Sequence, residues 1–345
     1  MSTASVLSEE QRQEKIKALE PVYEQAGIHG FWQLGRRPPE PQVEARVWRW
    51  KEIYPAIVAA AEVIRIPEDA FRRANPLMNV SKTMAMGFQI VNPGETEPAH
   101  RHTPTALRFV VQGSGAFTTS NGERMLMEPG DLITQPNWAW HDHSNFTGEK
   151  IIWLDCLDSK LVSFLDASFH EDWAEGVTQP IVRPDGDSLR KFGQVRPPAP
   201  VGTHQYEPVP YQYKWKDTLP VLEGLAEQEG DPYDGVLLEY THPVTGGHTF
   251  LTISCRIQML RPGEATRTHR HTGTTIYHVF QGNGVTTVDK TDPLEMTWGD
   301  KDCFLVPPWR WHSHRNLSKS EPAIMFSESD LPVFEALGLY REERG

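Results

Sequence analysis

His100 and His102 flank a single arginine, and a third histidine, His141, follows after a run of short strand-like segments. In an extended strand the side chains of residues i and i+2 leave the same face, so two imidazoles spaced this way can reach one point. Between the pair and His141 stand Gly113, Gly115, Asn121-Gly122, Pro129 and Gly130, which fold a chain back on itself as antiparallel hairpins. A histidine pair on one strand, joined by a third on the return strand, is a way to build a metal site in a small barrel. Without an ion, three clustered and buried imidazoles would need many hydrogen-bond partners. Three neutral imidazoles suit Zn, Fe, Cu or Ni.

The arrangement occurs twice. HRHTPTALRFVVQGSG, starting at His100, returns as HRHTGTTIYHVFQGNG from His269, and His312 takes the place of His141. A second trio is therefore expected at His269, His271 and His312, with His278 and His314 nearby. Tyr277 stands where the first copy has Arg108, so the second copy lacks an arginine at that place. A repeat of this length predicts a duplicated barrel.

The motifs carry a resemblance. Gly94-(five residues)-His100-x-His102, Arg108-(six)-Gly115 and Gly130-(five)-Pro136-x-Trp138-(two)-His141-(three)-Asn145 resemble the two cupin motifs. Cupins usually place a glutamate after the His-x-His pair as a fourth ligand, and here Arg108 stands at that place. HRHT…LRF followed by WxWHDHxN is similar to the ring-cleaving dioxygenases of gentisate, salicylate and 1-hydroxy-2-naphthoate. The resemblance implies an all-β fold of two double-stranded β-helix (cupin) barrels, a bicupin, with Fe(II) at His100, His102 and His141. It also implies ring cleavage between the carboxyl-bearing carbon and its hydroxylated neighbour, with a small aromatic hydroxy acid and O2 as partners, and a homotetramer. Chemistry in the family is carried by the first lobe.

A three-histidine site brings no negative charge, and a substrate with a carboxylate ortho to a phenolic oxygen would supply it. Arg108 is the residue expected beside that carboxylate, since a planar guanidinium matches it in a bidentate way. The resemblance makes His143 a partner for substrate or oxygen, an imidazole able to exchange a proton. Asp155 is expected to orient His143 or to line the pocket, and Gln89 matches the pocket position on the opening strand. Gly87 keeps the family pattern, but Ala85 replaces an aromatic residue usual in the gentisate enzymes. The smaller wall points to a roomier pocket and a substituted salicylate. Arg72 or Arg73 is carried over from a region that contributes a substrate-binding arginine in relatives. Trp138 and Trp140 read as packing. The rival readings are a metal bicupin with different chemistry and a non-catalytic bicupin that binds a small carboxylate.

The elements that must position these residues follow from the rest of the chain. At 345 residues, two domains of ordinary size are expected. A net charge of −12 argues against nucleic acid or an anionic membrane as partner. Three dispersed cysteines form no disulfide framework, and neither a signal peptide nor a membrane-length apolar run is visible, which fits a cytoplasmic protein. Residues 1–75 read as a helical and extended arm, 76–175 as the first barrel, 176–235 as an ordered crossing and 236–345 as the second barrel. Within the arm, Ser8 and Gln11 have capping-box spacing, and Trp32, Pro38, Pro39, Pro41, Trp48 and Trp50 mark an extended stretch that would bury its tryptophans against the barrel or a neighbouring subunit. Helices are expected over 51–64, briefly after Pro67, over 161–168, 217–228 and 331–337.

Overall fold

The computed structural model describes residues 8–26, 43–193 and 208–345. The first of these spans is a helix, Glu9–Ala26, opened by a reciprocal cap. Ser8 Oγ accepts from the Gln11 amide at 3.2 Å while Gln11 Oε1 accepts from the Ser8 amide at 3.1 Å. Trp32, Pro38, Pro39 and Pro41 of the expected arm lie outside the described residues.

Residues 43–345 form one compact unit containing two barrels, each a six-stranded sheet facing a five-stranded one. In the first lobe the larger sheet runs Tyr211–Tyr213, Leu132–Gln135, Ala106–Gln112, Ile151–Leu157, Ala85–Val91, Ala74–Pro76. The smaller runs His170–Asp172, Thr96–His102, His141–Ser144, Phe117–Ser120, Glu123–Leu126. The second lobe repeats both orders, from Arg46–Trp48 to Val236–Glu239 and from Glu342–Arg344 to Leu294–Trp298. The duplicated barrel expected from the repeat is present.

Alternation along the large sheets decides what faces where. Leu107, Phe109 and Val111 join Phe88, Leu154, Ile257, Ile276 and Phe326 in one apolar cluster drawn from both lobes. Phe109 stacks on Phe326 with ring centroids 4.1 Å apart. The opposite face of the same strands looks into the barrel, where Val91, Val110 and Trp153 pack with Met125 and Ile133. Arg108, Asp155, Gly87 and Gln89 share that inward parity.

The lobes also exchange edge strands. Arg46–Trp48 precedes the first barrel but pairs with Cys303–Val306 of the second, and Tyr211–Tyr213 precedes the second but pairs with Leu132–Gln135 of the first. Each is followed by a helix, Trp50–Val63 and Trp215–Ala226, whose leading tryptophan packs on Phe88 or Phe280 respectively. Within the expected crossing, Tyr211–Tyr213 is thus more than a connection, since it completes the first lobe's sheet. No helix forms after Pro67; the Asp69 carboxylate accepts from the Arg65 amide at 3.0 Å and closes a turn instead. The edge strands His170–Asp172 and Glu342–Arg344 are short, charged and exposed, so they carry no apolar period to read.

Asn145 ties the barrel's closing turn together. It is buried, and its amide donates to the carbonyls of Val91 (3.0 Å) and Glu149 (2.8 Å). Asn316 does the same in the second lobe with Leu260 and Glu321. Asn145→Ala strands two carbonyls and is expected to destabilise the protein by roughly 2–4 kcal/mol, read as a lowered denaturation midpoint at unchanged slope.

Candidate metal centre and pocket

His100 and His102 reach the lumen from Thr96–His102, and His141 joins them from the neighbouring antiparallel strand, where it is the direct partner of His100. Their ligand-capable nitrogens lie within 4.8 Å of one another, and all three side chains are buried. Each Nδ1 faces a backbone carbonyl: Pro98 at 2.9 Å, Pro104 at 2.8 Å and Ala139 at 3.0 Å. A carbonyl only accepts, so each Nδ1 carries the proton and each Nε2 keeps a lone pair. The Nε2 atoms of His102 and His141 are buried without a hydrogen-bond partner. Burial pushes the His100 imidazole down to about 3 and His102 to about 4, and lowers His141 well below the usual range. Three neutral rings with converging lone pairs, two of them unpartnered, are the donor set a first-row transition ion takes.

Arg108 and Asp155 flank this trio on the larger sheet. Arg108 is completely buried, and none of its three guanidinium nitrogens has a hydrogen-bond partner. Asp155 lies opposite it in register, but its Oδ1 is 3.9 Å from Arg108 Nε and is also unpartnered. The pair balances charge without forming a closed bridge. Gln89 is buried, donates to Glu97 and leaves its Oε1 unpartnered.

The position behind His143 is occupied by Thr118, whose hydroxyl meets Nδ1, and not by Asp155, which faces Arg108. Gly87 is required for packing: a Cβ there would stand 2.6 Å from the Asn75 carbonyl. Ala85 opens the strand beside it, half-buried. Of the two candidate arginines, Arg73 is buried and tied to Glu95 and the Ala61 carbonyl. Arg72 is half-buried, and its charge reaches Glu97, His100, His102 and Asp155. Trp138 and Trp140 sandwich the Arg101 guanidinium at 4.5 Å each, on the outer face.

Glu97 was not foreseen. Counting back by twos from His100 puts it on the outer face, yet it is buried in the site with Gln89 and the Arg73 amide as partners. The register slips between Glu97 and His100, at Pro98, and this bulge turns both inward. A proline inside a strand pattern was the signal. Burial, which outweighs the attraction of Arg72, pushes its carboxyl up to about 8.

The second trio also converges. The nitrogens of His269, His271 and His312 lie within 4.8 Å of one another, with His269 and His312 in direct register.

Comparison with known proteins agrees with this geometry. The Cupin domain family matches residues 87–157 and 256–327. The chain is 40% identical over 320 residues to a 5-aminosalicylate 1,2-dioxygenase of Comamonas sp, covering 88% of this chain and 83% of that protein. It is 35% identical to gentisate 1,2 dioxygenase 1 of Aquipseudomonas alcaligenes, covering 89% and 88%. A 1-hydroxy-2-naphthoate 1,2-dioxygenase of Nocardioides sp. (strain KP7) is 37% identical, covering 86% and 78%. Among solved structures, a salicylate 1,2-dioxygenase from Pseudaminobacter salicylatoxidans superposes with a TM-score of 0.84 at 29% identity, covering 96% of this chain and 98% of that one. Among the described residues no helix is long and apolar enough to cross a membrane.

Glu97 generates a test of its burial. With its native pKa raised from 4.5 to about 8, the folded chain holds a proton that the unfolded chain has released. Its contribution to stability therefore falls as pH rises through that window. In metal-free protein, Glu97→Gln should gain on the wild type by on the order of 1 kcal/mol per pH unit between about pH 5 and 8. A pH-independent difference in denaturant unfolding would contradict a buried, neutral Glu97.

Proposed function

From the premise that this chain belongs to the gentisate and salicylate 1,2-dioxygenase family of bicupins, we propose that its first lobe binds Fe(II) and opens the ring of a substituted salicylate or gentisate. Cleavage falls between the carboxyl-bearing carbon and the adjacent hydroxylated carbon, and both atoms of O2 enter the ring-opened oxo-diacid. The observation that carries this reading is Arg108, a buried cation whose donors are all unpartnered beside three neutral imidazoles. Asp155 offsets the charge but accepts no hydrogen bond from it, and leaving buried donors unpaired costs roughly 1–3 kcal/mol, so an arriving carboxylate supplies the missing acceptors.

Bound Fe(II) at His100, His102 and His141 would supply the redox chemistry that lets O2 react with an electron-rich ring. The chain's own residues hold and orient the acid. Arg108 receives the carboxylate in a bidentate way, and Asp155 keeps the guanidinium from drifting along the lumen. Gln89, steadied by Glu97, presents its free Oε1 to a hydroxyl or amino hydrogen of the substrate. His143, steadied by Thr118, offers its other ring nitrogen to substrate or O2. The identity to the 5-aminosalicylate enzyme and the small Ala85 both favour a 5-substituted salicylate.

The rival, a bicupin that only stores a small carboxylate, predicts no O2 consumption. Anaerobically loaded protein should take up one O2 per ring opened with gentisate or 5-aminosalicylate. Bound iron and tight substrate without uptake would favour the rival.

Each of His100→Ala, His102→Ala and His141→Ala is expected to remove first-lobe iron and turnover together, checked by elemental analysis and O2 uptake. Retention of both in any one variant would remove that residue from the ligand set. Arg108→Gln is expected to keep its iron and lose substrate placement. Truncating a charge-assisted hydrogen bond costs roughly 1.5–3 kcal/mol, on the order of tenfold to more than a hundredfold in affinity, and kcat falls too because orientation suffers. The wild type should strongly prefer a salicylate over a catechol lacking the carboxylate, and the variant should largely lose that preference. Equal losses on both would make Arg108 a structural residue.

A further inference from the structure

We propose that the second lobe is itself a binding site, taking a divalent first-row transition ion at His269, His271 and His312 and a small carboxylate anchored by Arg256. The proposal is independent of what the first lobe does.

The ion is argued from the imidazoles. The Nδ1 atoms of His271 and His312 each face a backbone carbonyl, Thr272 and Arg310, at 3.1 Å. Their protons are therefore on Nδ1 and their Nε2 lone pairs point inward, the same device as in the first lobe. With His312 protonated on Nδ1, His269 Nε2 donates to His312 Nε2 at 2.8 Å in the metal-free chain, and a bound ion would take the place of that proton. Two nitrogens bound about 2.0–2.1 Å from one ion at right angles stand roughly 2.9 Å apart, so this spacing fits neighbouring ligands. Tyr233 stacks on the outer face of His269 at 5.6 Å and holds the ring.

The anion is argued from the rung of the sheet beside the trio. In the first lobe the register aligns Arg108, Asp155 and Gly87 across three adjacent strands. In the second lobe the same rung reads Tyr277, Ser327, Arg256. An arginine is on this rung too, although Tyr277 holds the place of Arg108. It stands two strands across, at the position where the first lobe tolerates only glycine. Gln258 keeps the place of Gln89, each lying opposite the central strand two residues along. Arg256, Gln258 and Tyr277 line a cavity of about 220 Å³ that also exposes His269 and His271. That space admits a small organic acid.

Charge decides the class of ligand. Asp234 and Glu342 line the cavity against Arg256 and Arg344, two negative charges against two positive ones. Glu239, opposite Arg256 on the neighbouring strand, pairs with it at 3.6 Å and brings the acids to three against two cations. With neutral imidazoles, a divalent ion leaves the cavity positive, and an anion bridging the ion and Arg256 restores the balance.

The test uses the full-length chain, stripped with chelator and reloaded anaerobically with Co(II). The wild type should bind two equivalents by equilibrium dialysis and elemental analysis. His141→Ala and His312→Ala should each bind one, and the double variant none. His271→Gln serves as a second ligand variant, and circular dichroism confirms that each is folded. One equivalent in the wild type, lost in His141→Ala and kept in His312→Ala, would overturn the ion site. On the His141→Ala background, benzoate should shift the remaining Co(II) visible band, with Kd raised at least tenfold by Arg256→Gln and unchanged by Arg108→Gln. An equal Kd with and without Arg256, or no shift at all, would overturn the anion site. Neither readout depends on ring cleavage, so a first lobe that fails to turn over leaves both results interpretable.

Discussion

Two large sheets packed face to face are the constraint on which the rest of this molecule depends. Leu107, Phe109 and Val111 lie in the seam between the lobes, and so do Met86, Phe88, Ile90 and Leu154, opposite Ile257, Ile276 and Phe326. Because a strand alternates its faces, fixing one residue of a strand in the seam fixes the direction of every other. Arg108 looks into the lumen because Leu107 and Phe109 do not. A one-residue slip in Ala106–Gln112 would bury a guanidinium between apolar sheets and turn Leu107, Phe109 and Val111 into the barrel. The hydrophobic seam, a cluster of fully buried side chains from both lobes, therefore sets the register of the pocket-lining residues.

Polar side chains inside the barrels are held neutral or left waiting. His100 and His102 are pushed down to about 3 and 4, while the Glu97 carboxyl is pushed up to about 8. Both directions have the same cause, the cost of charge in a lumen walled by Trp153, Val110 and Met125. Arg108 is the exception, since a guanidinium stays protonated whatever its surroundings. Its unpartnered donors are a local cost to the fold, of the kind folds carry at sites built for a ligand.

Much of this was legible in the chain. The His-x-His spacing, the glycine-marked hairpins and the repeat at His269 led to both trios and to a duplicated barrel, because strand periodicity converts spacing into direction. What stayed hidden had physical reasons. Glu97 was masked by a bulge at Pro98 that breaks the count by twos. Thr118 reaches His143 from a different strand, and nothing local marks a threonine as a partner. The strands Arg46–Trp48 and Tyr211–Tyr213 pair across lobes, a choice made by the sheet edge they meet and not by their own residues. Arg256 was invisible as a counterpart of Arg108 because it sits on another strand, level with it only once the register is known.

The seam also explains why duplication need not mean two equal active sites. Glu328 is buried beside the Cys156 thiol, with Cys255 and Cys303 of the second lobe close by, and burial pushes its carboxyl up to about 8. Desolvation pushes the three thiols up as well, so this part of the contact is neutral, dry and unreactive. Together with the exchanged edge strands, it makes each barrel incomplete without the other. The second lobe thus supports the first lobe's register whatever its own lumen binds. Its lumen-facing rung can read Tyr–Ser–Arg where the first lobe has Arg–Asp–Gly, because the seam-facing residues alternate with it on the same strands and set the register in both.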